Sequence, residues 1–213
     1  MPMDYTSLLL SKIEEIPRLG LKAQLKMAPP QRFGTKETLL AIPEDVRYAA
    51  IMMLLYPVES ELHFCLIQRS TYDGQHSGQI SFPGGKKEET DIDYWATAQR
   101  ETQEEVGVDP SQVTFLKQLS PTYIPPSNFI VSPFVTKQSS YPNFKPDKRE
   151  VQIHIELPLE TLIKFEIEYN DINLSLNQFS MTKVPSYVFN NHIIWGATAM
   201  ILFEFKNFLE SHI

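Results

Sequence analysis

The spacing of hydrophobic and polar residues divides the chain into segments with strand-like and helix-like patterns. Two apolar runs, Ala49 to Tyr56 and Leu62 to Gln68, are separated by a polar segment that contains a proline, which predicts a hairpin of two strands. Apolar residues recur at helical spacing over residues 4–17 and predict an N-terminal helix. Residues 27–36, which are polar and contain prolines, predict an extended arm.

The most regular helical pattern lies in the middle of the chain. It runs from about Ile92 to Val106, with Thr90 or Asp91 expected as the N-cap and Gly107 as the C-terminal stop. Further strands are predicted near residues 113–119, 129–137, 152–157, 166–174 and 186–190, with a short helix at 158–163 and a last helix from about 194 to 209. Strands and helices without regular alternation predict one α+β domain over residues 1–213, with residues 1–40 packing on it.

Composition and charge narrow the class of protein. The 213 residues are 42% hydrophobic and 21% charged, as in ordinary globular proteins. A net charge of −7 disfavours binding to a nucleic-acid backbone but is compatible with an anionic small molecule, because a bound metal can reverse the local charge. The single cysteine, Cys65, lies in an apolar run and is predicted to be a core residue in a reducing compartment. No segment approaches the roughly 20 apolar residues of a membrane span, and the N-terminus has no basic n-region, so we expect a soluble, cytoplasmic protein.

The central helix carries an acidic cluster. Glu101 and Glu105 are one turn apart on one face, and Glu104 is adjacent to both. Like charges at these spacings cost a few tenths of a kcal/mol per pair. The cluster therefore favours a site for a hard divalent cation such as Mg²⁺ or Mn²⁺, which takes oxygen ligands. The alternative is a solvated acidic face on a surface helix.

The segment before the helix makes the metal site the better interpretation. Ser81-Phe82-Pro83-Gly84-Gly85 places two glycines, which allow close approach of the backbone, at the entrance to a helix that contains Arg-Glu-x-x-Glu-Glu-x-Gly. Together these residues resemble the Nudix box, G-x5-E-x7-R-E-U-x-E-E-x-G-U with U aliphatic. The chain differs in having Asp91 for the first Glu, one extra residue before Arg100, and Thr102 at an aliphatic position.

The resemblance implies a fold and a set of roles. The implied fold is an α/β/α sandwich with a mixed central sheet and the box helix on one face. Glu101 and Glu105 would ligate Mg²⁺ or Mn²⁺, and Glu104 would be a further ligand or the general base. The Gly85 carbonyl would complete the shell, and Arg100, held by Asp91, would orient the carboxylates. The implied chemistry is metal-assisted hydrolysis of a pyrophosphate bond.

A second resemblance indicates a substrate. The segments 66–70 and 76–85 are similar to the sequence that precedes the box in coenzyme A pyrophosphatases of this superfamily, and so are residues 26–29, 123–129 and 194–199. Such enzymes split coenzyme A or its thioesters into 3′,5′-ADP and a 4′-phosphopantetheine. Where many members have Leu-Arg, this chain has Asp73-Gly74, so one arginine suited to a phosphate is missing.

Two other functions remain open at the sequence level. One is hydrolysis of another nucleoside diphosphate derivative, such as ADP-ribose, NADH or a dNTP, because specificity lies in loops rather than in the box. The other is a non-catalytic module that binds a nucleotide or a protein, which the intact glutamate set disfavours. The family resemblance also makes a homodimer one expectation, with the N-terminal helix as an interface element.

Four residues outside the central helix are further candidates. Arg69 is predicted to be a phosphate ligand or a surface arginine, and His76 to contact a phosphate or to cap a turn. Gly84 would allow the backbone to approach the substrate closely. Glu150 would be an extra metal ligand or base, or else a charged residue that enters a strand.

Overall fold

The computed structural model describes residue 13 and residues 18–29, 42–70, 77–174 and 179–211. The predicted helix at 4–17 lies outside the described residues except for Ile13, and so do residues 30–36 of the predicted arm.

A mixed sheet of eight strands forms the centre of the fold, and the predicted hairpin is its first pair of strands. The strands are β1 (Arg47–Val58), β2 (Glu61–Arg69), β3 (Ile80–Ser81), β4 (Gly84–Lys86), β5 (Thr114–Gln118), β6 (Thr122–Ile124), β7 (Phe129–Lys137) and β8 (Val151–Pro158). The long strand β1 lies in the middle, antiparallel to β2 and β4 and parallel to β7. A second, antiparallel sheet contains β9 (Glu168–Leu174), β10 (Phe179–Phe189) and β11 (His192–Trp195).

Helices cover both faces of the central sheet. They are α1 (Leu21–Gln24), α2 (Tyr94–Val106), α3 (Leu159–Lys164) and α4 (Gly196–Glu210). Because successive side chains of a strand point to opposite faces, Met53 and Leu55 of β1 join the core that includes α4, whereas Met52 and Leu54 join the core beneath α2. The predicted α/β/α sandwich, with the acidic helix on one face, is confirmed.

The acidic helix begins two residues later than predicted. Its N-cap is Asp93, whose Oδ1 accepts a hydrogen bond from the Ala96 amide at 2.7 Å. The prediction of Thr90 or Asp91 as N-cap was wrong, because the Asp91 carboxylate points inward to other partners. The helix ends as predicted at Gly107, which has the left-handed φ of 75° typical of a C-terminal stop.

The last helix begins at Gly196 rather than near 194. Ile194 and Trp195 belong to β11, where they pair with Tyr187 and Ser186 of β10. These two residues are apolar and buried whether they lie in a strand or in a helix, so hydrophobicity alone did not distinguish the two. The other predicted strands and the short helix agree with the structure to within two residues, except that β10 begins at Phe179 instead of 186.

Residues 18–29 pack against α4 through a buried carboxylate. Glu204 of α4 is buried, and its oxygens accept hydrogen bonds from the Ser120 hydroxyl at 2.5 Å and from the Gln24 side-chain amide at 2.9 Å. The backbone amide of Gly20 also donates to Glu204, at 3.4 Å. This network joins α1, α4 and the segment after β5.

Candidate active site

The three glutamates of α2 differ sharply in exposure. The side chain of Glu105 is 1% exposed and that of Glu101 is 15% exposed, whereas that of Glu104 is 56% exposed. Glu105 is the most buried of the three because it lies against β4.

The carboxylate of Glu105 accepts hydrogen bonds from a backbone amide and from an arginine side chain. The Gly84 N–H donates to Oε2 at 2.8 Å, and Nη1 of Arg69 donates to Oε1 at 3.1 Å. Burial raises the pKa of Glu105 to about 7, although the Gly84 amide and the Arg69 charge act in the opposite direction. A buried carboxylate of this kind favours a cationic partner.

Glu101 lies directly over Gly85. A Cβ atom at residue 85 would lie 2.5 Å from Cδ of Glu101, so this position of the carboxylate requires glycine. Burial raises the pKa of Glu101, and its interactions with Arg100 lower it. The strand β4 therefore positions both inward-facing glutamates. The Gly84 amide binds Glu105, and the lack of a side chain at Gly85 leaves room for Glu101.

Arg100 connects the loop before the helix with the carboxylates. Its Nε and Nη2 bind the two oxygens of Asp91, each at 3.0 Å, and Nη2 also donates to the Lys86 carbonyl. Its Nη1 donates to Glu101 at 2.9 Å and to Glu104 at 3.1 Å. The contact between Asp91 and Arg100 expected from the resemblance is present, and these hydrogen bonds hold the pKa of Asp91 well below its usual range.

Glu150 lies beside the helix although it is distant in sequence. It is exposed and immediately precedes β8, and its carbonyl accepts a hydrogen bond from the Ser70 amide at 2.8 Å, just after the end of β2. Its charge adds to the effect of burial in raising the pKa of both Glu101 and Glu105. His76, in contrast, lies outside the described residues, so its predicted role stays a prediction.

A cavity of about 460 Å³ opens beside this cluster on the α4 side of the sheet. Arg69, Gly84 and Gly85 form the wall nearest the glutamates, and the remaining walls are mostly apolar. They include residues of β1, β6, β7 and the start of α4, among them Ala49, Ile51, Ile124, Val131, Ala197 and Ile201.

Arg47 lines the same cavity and was not a candidate at the sequence level. Its guanidinium lies 4.2 Å from the centre of the Phe129 ring, and its Nη2 donates to the Ser127 carbonyl at 2.5 Å. A sequence signal for this wall was available. The segments 123–129 and 194–199, which were noted only for their resemblance, both contribute to the cavity.

Comparison with known proteins identifies the family. A family profile described as the NUDIX domain matches residues 46–171, which is more than half of the chain and includes the whole acidic helix. The chain belongs to the Nudix family.

Curated relatives agree with this assignment, and a solved structure shares the fold. The chain is 32% identical over 179 residues to Nudix hydrolase 15, mitochondrial, of Arabidopsis thaliana, and this match covers 79% of the chain and 62% of the relative. It is 31% identical over 188 residues to the uncharacterized Nudix hydrolase NudL of Pectobacterium atrosepticum, covering 83% of the chain and 95% of the relative. The crystal structure of a MutT/nudix family protein from Enterococcus faecalis shares the fold, with 17% identity, a TM-score of 0.51 and coverage of 99% of this chain and 76% of that one.

Nudix hydrolases act on phosphoric anhydrides and generally need divalent metal ions, so the fit of the site to a metal can be tested. The donors fit in kind, because Glu101, Glu104 and Glu105 offer the oxygens that hard cations prefer. In the part of the chain that the structure describes, no group of three or more acidic, histidine or cysteine side chains converges as a ready-made metal site. The carboxylates are instead engaged by Arg100 and Arg69, which pair with Glu101 and Glu104 and with Glu105, respectively.

Among the described helices, none is long and apolar enough to cross a membrane.

Proposed function

We propose that this chain is a metal-dependent Nudix pyrophosphohydrolase that cleaves the diphosphate of coenzyme A or an acyl-CoA. The products would be 3′,5′-ADP and a 4′-phosphopantetheine or its acyl form. One observation carries the proposal: Gly84 and Gly85 line the 460 Å³ cavity and lie against Glu105 and Glu101 of α2. A diphosphate placed on this glycine pair would reach the glutamates while a bulky group attached to it occupied the cavity.

Glu101 and Glu105 are the proposed ligands of Mg²⁺ or Mn²⁺, with Glu104 and the Gly85 carbonyl as further ligands. When bound, the cation would supply polarisation of the phosphoryl oxygens, activation of the attacking water and stabilisation of the leaving phosphate. Arg100 would hold the carboxylates in place, since its own position is fixed by Asp91 and the Lys86 carbonyl.

The exposed carboxylates are the proposed proton acceptors. Glu104 and Glu150 both face solvent next to the buried pair, and an exposed carboxylate can pass a proton to bulk water. Arg69 is the proposed ligand of a substrate phosphate, because Arg69 lines the cavity and its guanidinium contacts Glu105. His76 is kept as a proposed contact from the sequence alone.

Three features support coenzyme A over smaller diphosphates. The sequence resemblance to coenzyme A pyrophosphatases includes two segments that line the cavity, 123–129 and 194–199. The cavity has an apolar body that suits a large organic group. Its lining also includes three cationic residues, Arg69 near the glutamates, Lys86 on β4 and Arg47 beside Phe129, which suits a substrate with more than one anionic site.

The direct test is a substrate panel with purified protein and Mg²⁺ or Mn²⁺. Coenzyme A, acetyl-CoA, dephospho-coenzyme A, ADP-ribose, NADH and dNTPs would be compared, with products identified by mass. We expect the highest kcat/KM for coenzyme A or its thioester, with 3′,5′-ADP as one product. Turnover of ADP-ribose, NADH or a dNTP without 3′,5′-ADP from coenzyme A would reject the substrate and favour another Nudix activity. Binding without turnover of any compound would favour a non-catalytic module.

Arg47 allows a test of the cavity itself. Replacing it by glutamine should raise KM for the preferred substrate roughly tenfold and leave kcat within about twofold, because it contacts no carboxylate of the acidic helix in the described structure. The matched control is Arg18→Gln, which removes an arginine bound to Gln118 on strand β5. Equal KM values for the two variants would exclude Arg47 from substrate binding.

A further inference from the structure

Arg69 reaches Glu105 from the wall of the cavity rather than from the acidic helix. It is the last residue of β2, its side chain is 25% exposed, and its backbone amide is fixed by the Gln79 carbonyl at 3.0 Å. Arg69 thus lines the cavity proposed for the substrate and also contacts the most buried of the glutamates.

The two oxygens of Glu105 are not equivalent. Oε2 accepts the Gly84 amide, and that donor is part of β4, which is paired with β1 and cannot move independently. Oε1 accepts Nη1 of Arg69, a donor at the end of a long side chain. A cation that takes Glu105 as a ligand therefore gains access at Oε1, the oxygen that Arg69 holds.

The guanidinium of Arg100 is held by groups that lie outside α2. Both oxygens of Asp91 and the Lys86 carbonyl fix its guanidinium, so it can orient Glu101 and Glu104 without leaving its position. Asp91 is itself buried and bound to the Thr97 hydroxyl. The geometry therefore assigns the two arginines to different tasks.

We propose that Arg69 is a displaceable counter-ion, which neutralises Glu105 and transfers to the substrate diphosphate when a divalent cation takes Oε1. This rests on the proposed function, and it adds an order of events to it. A guanidinium 3.1 Å from a ligand oxygen repels a dication, and the same guanidinium is attracted by a diphosphate in the adjoining cavity. Metal and substrate would then bind cooperatively. The dication replaces Arg69 as the partner of Glu105, and the substrate diphosphate replaces Glu105 as the partner of Arg69.

The proposal predicts opposite changes in two affinities. Removing the Arg69 charge should strengthen metal binding in the absence of substrate, because a competitor for Oε1 is lost. It should weaken substrate binding, because a phosphate ligand is lost. A purely structural arginine would give weaker metal binding when removed, since Glu105 would lose its position.

The closing experiment measures Mn²⁺ binding without substrate, by electron paramagnetic resonance of the free ion. We expect the Kd of Arg69→Gln to be three- to tenfold lower than that of the wild type. Arg69→Lys, which keeps the charge, and Arg18→Gln, the matched control whose arginine binds Gln118 of β5, should stay within about twofold. An unchanged or higher Kd in Arg69→Gln would overturn the proposal.

Thermal unfolding gives a second test of the role of Arg69, and a substitute variant is available. Arg69→Gln should have a lower Tm than the wild type without added cation and a larger rise in Tm on adding Mn²⁺, because Mn²⁺ replaces the lost charge beside Glu105. If Arg69→Gln does not fold, Arg69→Met preserves the apolar part of the side chain and serves in its place. Since Mn²⁺ binding needs no substrate, failure of the substrate panel alone would reject coenzyme A hydrolysis and leave the result on Arg69 intact.

Discussion

Adjacent glycines can be required for different reasons, and Gly84 and Gly85 differ in this way. At Gly84, which has a φ of 148°, a Cβ would lie 2.6 Å from Cα of Ile51, so it would collide with the backbone of β1. At Gly85 the neighbour is the carboxylate of Glu101, the mobile end of a side chain. The first glycine is required by the sheet and the second by the site.

Alanine substitutions should separate the two requirements. We expect Gly84→Ala to lower the free energy of unfolding by about 3 kcal/mol or more, through strain at a positive φ and the backbone clash. Gly85→Ala should stay within about 1 kcal/mol of the wild type, because the carboxylate can turn away. It should nevertheless weaken Mn²⁺ binding at least tenfold. Urea denaturation and Mn²⁺ titration measure the two effects, and wild-type affinity in Gly85→Ala would contradict the account of Glu101.

The acidic helix and the loop before it form one element, and Asp91 joins them. Both oxygens of its carboxylate bind Arg100, and the carboxylate also accepts hydrogen bonds from the Glu88 amide and the Thr97 hydroxyl. The extra residue in this box, which looked like an irregularity in the sequence, is accommodated by this loop without loss of the contact to Arg100.

Asp91→Asn should therefore destabilise the protein by about 1–3 kcal/mol and lower kcat, because an amide nitrogen would face the Arg100 guanidinium. The matched control is Asp93→Asn, which should be nearly neutral because asparagine caps helices as well as aspartate does. Equal unfolding free energies for both variants would contradict the role of Asp91.

The same pair of variants predicts a pH dependence. Since the pKa of Asp91 is lowered in the folded protein, its stabilising effect is present above the unfolded value of about 4 and disappears as pH falls further. The difference in unfolding free energy between the wild type and Asp91→Asn should be constant from pH 7 to about pH 5 and shrink below pH 4. A difference that grows as the pH falls would contradict a lowered pKa of Asp91 in the folded protein.

At the level of elements, the spacing of apolar residues predicted most strands, because each of these strands has one face packed in a hydrophobic core. It misplaced the start of α4, since Ile194 and Trp195 are buried in either conformation, and it misplaced the N-cap of α2. For the site, local motifs predicted roles for the glutamates and Arg100. They did not identify Arg47, because its position beside Phe129 depends on the parallel pairing of β1 with β7, a contact distant in sequence.

At the level of the whole molecule, Glu204 connects residues 18–29 with α4, the helix whose first turn lines the cavity. We expect Glu204→Gln to lower the free energy of unfolding by about 1–3 kcal/mol, because a buried amide nitrogen would face several donors. Glu210→Gln on the same helix, at an exposed position paired with Lys206, should cost less than about 0.5 kcal/mol. Urea denaturation compares the two variants, and equal losses would reject the importance of the buried network.

The proposed role of α2 is metal-dependent hydrolysis of a diphosphate. The most direct test is the kcat of Glu105→Gln, with Glu160→Gln, an exposed position of helix α3, as the matched control and circular dichroism to confirm folding. With saturating Mg²⁺ or Mn²⁺ and the preferred substrate of the panel, we expect a loss of at least about 100-fold in Glu105→Gln and wild-type turnover in the control. A folded Glu105→Gln protein with near wild-type turnover would contradict this role.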